Sequence, residues 1–243
     1  MNRNRRTDGT EKKRRDIAAM FDTIAPTYDR LNRILSLGTD QIWRRQAIRI
    51  GGVRSGQHWL DLAAGSGDVT DMGLRLAPGS SWTAADPSKK LLRILKTRTE
   101  LDTVPAILCG AEQLPFGESH FDGVTIAFGL RNFEEPERGL QEIARVLKPG
   151  GTLVILEFLA QEKGGWGGLF FVRLYLEQIL PRLGGLISGH KNAYSYLSNS
   201  SQSFWTPSEL QGKLRENGFH EVRVRGWMGG AVTLTTAKSV GVD

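Results

Sequence analysis

The chain has 243 residues, 40% of them apolar, which is enough for one full α/β domain with a sizeable core. Its net charge of +6 is unevenly placed: residues 1–20 carry seven Arg or Lys against Asp8, Glu11 and Asp16. The single cysteine, Cys109, excludes an intrachain disulfide, and four histidines without metal-ligand spacing argue against a metal site. The basic N-terminus reads either as a solvated arm or as a segment drawn to anionic lipid. No aromatic residue interrupts it, which disfavours nucleic acid. No apolar run follows as in a secretory signal, so a cytoplasmic location is expected.

Residues 11–50 predict two helices. Ile17, Met20, Phe21 and Ile24 recur at helical spacing until Pro26, and a second helix capped by Asp40 runs to Ile50. From residue 57 strands and helices alternate. Strands are predicted at 57–62, 81–85, 105–109, 121–127 and 152–157, and helices at 68–77, 88–99 and 136–147, a pattern that implies parallel strands with right-handed crossovers. The first strand ends in Leu60-Asp61-Leu62-Ala63-Ala64-Gly65-Ser66-Gly67-Asp68. Its glycines permit positive φ and close approach of a ligand, and the helix that follows offers unpaired N–H groups. The second strand ends in Asp86, whose carboxylate can accept from two ribose hydroxyls. A dinucleotide fingerprint needs a third small residue where Thr70 stands, and Asp68 repels phosphate but tolerates a cation. S-adenosylmethionine suits this pocket better than NAD; a glycine turn without a ligand is the other reading.

The loop after the third strand, Gly110-Ala111-Glu112, is placed to pass over the adenine. Phe128, Arg131 and Asn132 follow the fourth strand, at the carboxyl end where substrates bind; the alternative for Arg131 is a surface pair with Glu134. Pro149-Gly150-Gly151 predicts a turn before the fifth strand. Residues 160–206 interrupt the alternation with an apolar helix at 169–180, a lid that either completes the core or also lines an apolar substrate pocket. It is too short and too charged to span a bilayer. A helix at 207–217 and strands at 219–225 and 231–237 close the chain. Together these predict a doubly wound, mostly parallel seven-stranded sheet with a C-terminal antiparallel hairpin, preceded by an arm and helices over residues 1–50. The domain proper spans 51–243, with its helical insert at about 160–206.

Several segments resemble one family closely. Phe21-Asp22-Thr23-Ile24-Ala25-Pro26-Thr27-Tyr28-Asp29, the glycine loop, Ala111-Glu112-Gln113-Leu114-Pro115-Phe116, Phe128-Gly129-Leu130-Arg131-Asn132, Arg145-Val146-Leu147-Lys148-Pro149-Gly150-Gly151 and Tyr194-Ser195-Tyr196-Leu197 are similar to class I S-adenosylmethionine-dependent methyltransferases, specifically the C-methyltransferases of menaquinone and ubiquinone biosynthesis. The resemblance implies a Rossmann-like fold and methylation of a prenylated quinol ring, either demethylmenaquinol or a ubiquinone precursor. Methylation of another small apolar or aromatic metabolite, and a non-catalytic cofactor-binding module, are the rival readings. The expected cofactor set is Asp61, Ala63, Gly65, Ser66, Gly67, Asp86, Pro87, Gly110, Ala111, Glu112 and Ala127. Phe128, Arg131, His190, Tyr194 and Tyr196 would face the substrate. Arg131 would stabilise phenolate charge with Asn132 beside it, and Asp29, Tyr28 and His190 are the candidate bases. A lipophilic substrate implies weak contact with the inner face of a membrane; a homodimer is compatible with the same reading.

Overall fold

The computed structural model describes residues 22, 23, 25, 33, 36–160, 162, 204–227, 230 and 232–241. The arm, the helix expected at 169–180, and Tyr28, Asp29, His190, Tyr194 and Tyr196 lie outside the described residues. Among those described, the strands are β1 (His58–Leu62), β2 (Ser81–Asp86), β3 (Ala106–Leu108), β4 (Phe121–Ala127), β5 (Leu147–Phe158), β6 (Phe219–Trp227) and β7 (Val232–Ser239). The helices are α1 (Thr39–Gly51), α2 (Asp68–Leu76), α3 (Lys89–Thr97), α4 (Pro136–Val146) and α5 (Pro207–Glu216). The strands form one sheet in the order β3-β2-β1-β4-β5-β7-β6. Strands β1 to β5 pair in parallel, while β7 runs antiparallel to both β5 and β6.

Alternation along the strands divides the core between two faces. Trp59, Trp82, Val154 and Leu234 point to one side, where Trp43, Ala47 and Ile48 of α1 cover them. The Trp59 and Trp82 rings stack with centroids 5.8 Å apart. Gly73 of α2 makes room for this, since a Cβ there would sit 2.1 Å from the Trp82 ring. On the other face Leu60, Leu62, Ile126, Leu153 and Ile155 meet Leu140 and Ile143 of α4 and Leu210 and Leu214 of α5. Helix α3 buries Leu92 and Leu95 beside Ala84, Leu101 and Val104. Helix α1 therefore belongs to the same core as the sheet.

Two local expectations need correction. Strand β5 begins at Leu147 rather than 152: its register against β4 jumps from Phe121↔Leu147 to Gly123↔Thr152, so the Pro-Gly-Gly stretch bulges from a strand already begun. Proline has no N–H to give the ladder, and Gly150 takes φ 73°. Helix α1 is capped by the backbone of Gly38 at φ 77°, not by Asp40. The Asp40 carboxylate accepts from Ser36 Oγ at 2.7 Å and turns into the core.

The chain winds outward from β1 through β2 to β3, then returns to place β4 on the other side of β1. The carboxyl ends of β1 and β4 thus flank the point where the winding reverses, which is where such sheets hold ligands.

Candidate active site

Both loops at the reversal leave their strands through a left-handed residue. Ala63 has φ 58° after β1 and Phe128 has φ 61° after β4, conformations that cost L-residues roughly 1–2 kcal/mol and persist only where the surroundings impose them. The two loops touch: a Cβ on Gly129 would lie 2.5 Å from the Ala63 Cβ. Gly67, at φ 89°, caps α2, and a Cβ on it would fall within 3 Å of Leu95 and Leu101. Asp61 holds this turn from beneath. Its carboxylate accepts from Thr70 N at 3.1 Å, Thr70 Oγ1 at 2.7 Å and Thr125 Oγ1 at 3.2 Å, which ties β1 to α2 and β4. Asp61 and Gly67, both expected at the cofactor, shape the loop and are not among the residues that line the cleft above it.

The cleft has a volume of about 860 Å³ including its open mouth. Ala63, Gly65 and Ser66 form its floor, and Asp86 with Pro87 one wall. Gly110, Ala111 and Glu112 close the β3 side, and Ala127, Phe128 and Asn132 the β4 side. Glu112 is also structural, since its Oε1 accepts from Glu134 N at 2.7 Å just before α4. Asp86 presents both oxygens at the end of β2. Oδ2 accepts from Gly65 N at 2.9 Å and Oδ1 from Ser88 N at 2.7 Å, leaving lone pairs directed elsewhere on each.

A family model described as the ubiE/COQ5 methyltransferase family matches residues 7–239. The chain belongs to the ubiE/COQ5 methyltransferase family. A demethylmenaquinone methyltransferase of Thermus thermophilus is 43% identical over 82% of this chain and 91% of its own. A protein of Nitrosospira multiformis named ubiquinone/menaquinone biosynthesis C-methyltransferase is 35% identical over 94% of each. The solved S-adenosylmethionine-dependent methyltransferase of Thermotoga maritima superposes with a TM-score of 0.64 at 18% identity, covering 91% of this chain and 99% of that one, a likeness of fold.

The residues present in this methyltransferase fit S-adenosylmethionine. The floor of the cleft lacks bulk, and Asp86 has acceptor capacity where a ribose would lie. Burial pushes the Asp86 carboxyl up to about 6, against the Ser88 and Gly65 hydrogen bonds that favour its ionised form. Cofactor affinity should therefore fall as pH drops through 6, about tenfold per unit once the protonated form dominates. Asp86→Asn should bind weakly at every pH without a step. Calorimetric titrations of both proteins across this range check the expectation; a flat wild-type profile would contradict it.

Asp68 lines the cleft as expected, but its charge is already engaged. It accepts from Arg98 Nη1 at 2.9 Å and Gln41 Nε2 at 3.2 Å, with Arg33 3.6 Å away. Burial pushes its carboxyl up, yet Arg44, Arg98 and Arg33 outweigh burial and hold it below the usual range. Arg98 also donates to Ser66 O at 3.2 Å and Asp71 Oδ2 at 2.7 Å, so one side chain beyond α3 staples the whole glycine turn.

Arg131 is the main departure from expectation. Its side chain is 3% exposed, is absent from the cleft wall, and pairs through Nη1 with the fully buried Glu157 of β5 rather than with Glu134. The same Nη1 donates to Phe128 O at 2.9 Å, and Arg131 N donates to Glu157 Oε2 at 3.2 Å. This ion pair and the bond to Phe128 O hold the Arg131 side chain behind the left-handed Phe128, away from the cleft wall. Asn132 does reach the cleft, with Nδ2 3.4 Å from the same carbonyl. Sequence reasoning missed Arg44. It sits on the face of α1 that buries Asp40, Trp43, Ala47, Ile48 and Gly51, and two charges four residues apart on a mostly apolar face were the available signal.

Proposed function

We propose that this protein transfers a methyl group from S-adenosylmethionine to a ring carbon of demethylmenaquinol. The observation that carries the reading is the family match over residues 7–239, which spans the substrate-side segments as well as the glycine loop. The 43% identity to a protein named demethylmenaquinone methyltransferase favours a naphthoquinol. A benzoquinol precursor of ubiquinone is the second reading, favoured by the 35% identical relative named for both quinones.

Bound S-adenosylmethionine supplies an electrophilic methyl. Asp86 would hold the ribose hydroxyls and the backbone at Gly110 and Ala111 the adenine edge. Phe128 is backed by Phe158 at 4.9 Å between ring centroids and by Trp43 at 6.4 Å, an apolar wall against which an aromatic acceptor can stack. Holding the ring in line with the methyl supplies most of the rate, and Asn132 is placed to orient a ring hydroxyl. Arg131 acts as a positioning residue through the Phe128 carbonyl. The base that ionises the hydroxyl is proposed among Asp29, Tyr28 and His190; Tyr194 and Tyr196 are proposed to face the ring or its tail.

Purified protein incubated with S-adenosylmethionine and reduced demethylmenaquinone should yield menaquinol and S-adenosylhomocysteine, followed by mass spectrometry. Turnover confined to the benzoquinol would select the second reading. Turnover confined to a water-soluble aromatic, or no S-adenosylhomocysteine with any acceptor, would overturn both.

The substrate's tail dissolves only in a bilayer, and no helix among the described residues is long and apolar enough to cross one. We infer peripheral contact through the seven cations of the first fifteen residues, each contributing about 1 kcal/mol at an anionic surface and screened by salt. Sedimentation with anionic liposomes should show weak binding that salt abolishes and that deletion of residues 1–15 reduces. Binding unchanged by the deletion would remove the arm from the account.

A further inference from the structure

Arg44 is a buried cation at the edge of the cleft. Its side chain is 10% exposed, yet its Nε makes no hydrogen bond among the described residues. The nearest carboxylate, Asp40, stands 3.6 Å from Nε and is already accepting from Ser36 Oγ at 2.7 Å and Gln41 Nε2 at 3.0 Å. The other acids that feel its charge are also committed, Asp68 to Arg98 and Gln41, and Asp61 to Thr70 and Thr125. A guanidinium nitrogen removed from water without an acceptor is costly, and an anion delivered by a ligand would relieve the cost.

The sheet order says which end of a ligand arrives there. Asp86 ends β2 and Gly110 follows β3, on one side of β1, whereas Arg44 lies over the ring of Phe128, 5.3 Å from its centroid, at the end of β4 on the other side. With strands about 4.8 Å apart, the two sides are separated by about 14 Å. A cofactor whose nucleoside is held by Asp86 and the 110–111 loop lays its other end, the amino-acid portion, across β1 toward β4. That portion carries one anion, a carboxylate, and the guanidinium fork matches a carboxylate in shape and charge.

We propose that Arg44 binds the α-carboxylate of S-adenosylmethionine, so that α1 completes the cofactor site. The proposal rests on S-adenosylmethionine being the cofactor. It makes Arg44 the residue that discriminates the whole cofactor from its nucleoside fragment.

Calorimetry on the purified chain tests it with three probes: S-adenosylhomocysteine, its decarboxylated analogue, and methylthioadenosine, which lacks the amino-acid portion. Arg44→Met should weaken S-adenosylhomocysteine about tenfold or more and leave the other two within about twofold, given the worth of a hydrogen bond to a charged group. Arg44→Lys, which keeps charge but loses the fork, should fall between; if the methionine variant does not fold, the lysine variant decides by the same comparison. An equal loss for all three probes would make Arg44 a support of the fold and overturn the assignment. Unchanged S-adenosylhomocysteine binding with a lowered kcat would place the guanidinium against the acceptor's oxyanion, which also overturns it. Failure of the unaltered protein to bind any probe would overturn the cofactor itself, an outcome distinct from the other two.

Discussion

Substitution of Arg131 by alanine should destabilise the folded protein by about 3–5 kcal/mol, the usual result of stranding one member of a buried ion pair. The partner left behind is Glu157, fully buried in β5, with backbone N–H groups of Arg131 at 3.2 Å and Phe158 at 2.8 Å as its remaining donors among the described residues. For a chain of this size each kcal/mol lowers Tm by roughly 2–4 °C, so a fall of about 6–20 °C is expected. Replacing both partners together, Arg131→Met with Glu157→Leu, should recover much of the loss because no charge is then stranded. Differential scanning calorimetry of the three variants decides the point. A melting temperature unmoved in Arg131→Ala, with kcat alone reduced, would return Arg131 to the substrate side and contradict its assignment to Glu157.

The second large effect belongs to Asp86. Two ribose hydroxyls donating to an ionised acceptor contribute about 1.5–3 kcal/mol each, so Asp86→Ala should weaken S-adenosylmethionine on the order of 10²–10⁴-fold. Asp86→Asn keeps one acceptor and should lose less. The same substitution leaves the buried N–H of Ser88 without its acceptor and frees that of Gly65 in the cleft, a cost opposed by the removal of a carboxylate whose ionised form burial disfavours. Thermal stability of the cofactor-free protein should therefore change little while affinity collapses, a split that calorimetry and melting read separately. Comparable affinities for wild type and Asp86→Ala would remove the carboxylate from the cofactor site.

Much of this architecture is legible from local pattern. Strands β1, β2 and β4 fall within a residue of their apolar runs, and α2 to α5 begin where proline, glycine or a capping residue stands, as with Ser88 accepting from Leu91 N at 3.2 Å. The cofactor side is legible because its chemistry is carried by contiguous loops, and nine of the eleven residues expected there line the cleft: Ala63, Gly65, Ser66, Asp86, Pro87, Gly110, Ala111, Glu112 and Ala127. Gly67 is turned under the loop by its cap of α2, and the departures of Asp61 and Arg131 share one cause. Asp61 finds Thr70 and Thr125, and Arg131 finds Glu157, through pairings that only the assembled sheet brings together. From sequence a carboxylate or guanidinium beside a motif looks ligand-facing, and proximity in the chain suggests Glu134 as the partner. Burial decides otherwise. Arg44 failed in the opposite sense, since its position on the buried stripe of α1 marked it while no motif did.

The two buried carboxylates also set the conditions under which the empty protein lasts. Asp61 and Asp86 both have carboxyls raised by burial to about 6. A raised acid contributes stability that is complete below its unfolded value, near 4, and disappears as pH climbs past its folded value, near 6. Each group shifts by about two units, on the order of 3 kcal/mol, before Asp68, Asp122 and Glu142, whose carboxyls are held low, begin to act in the other direction. The apoprotein should thus melt higher in mildly acid than in neutral buffer, a sign that melting curves across this range check, although protonated Asp86 leaves the cleft least able to take its ligand. Stocks kept without cofactor belong near pH 5, and stocks kept at neutral pH belong with S-adenosylhomocysteine, which restores by occupancy what ionisation takes away.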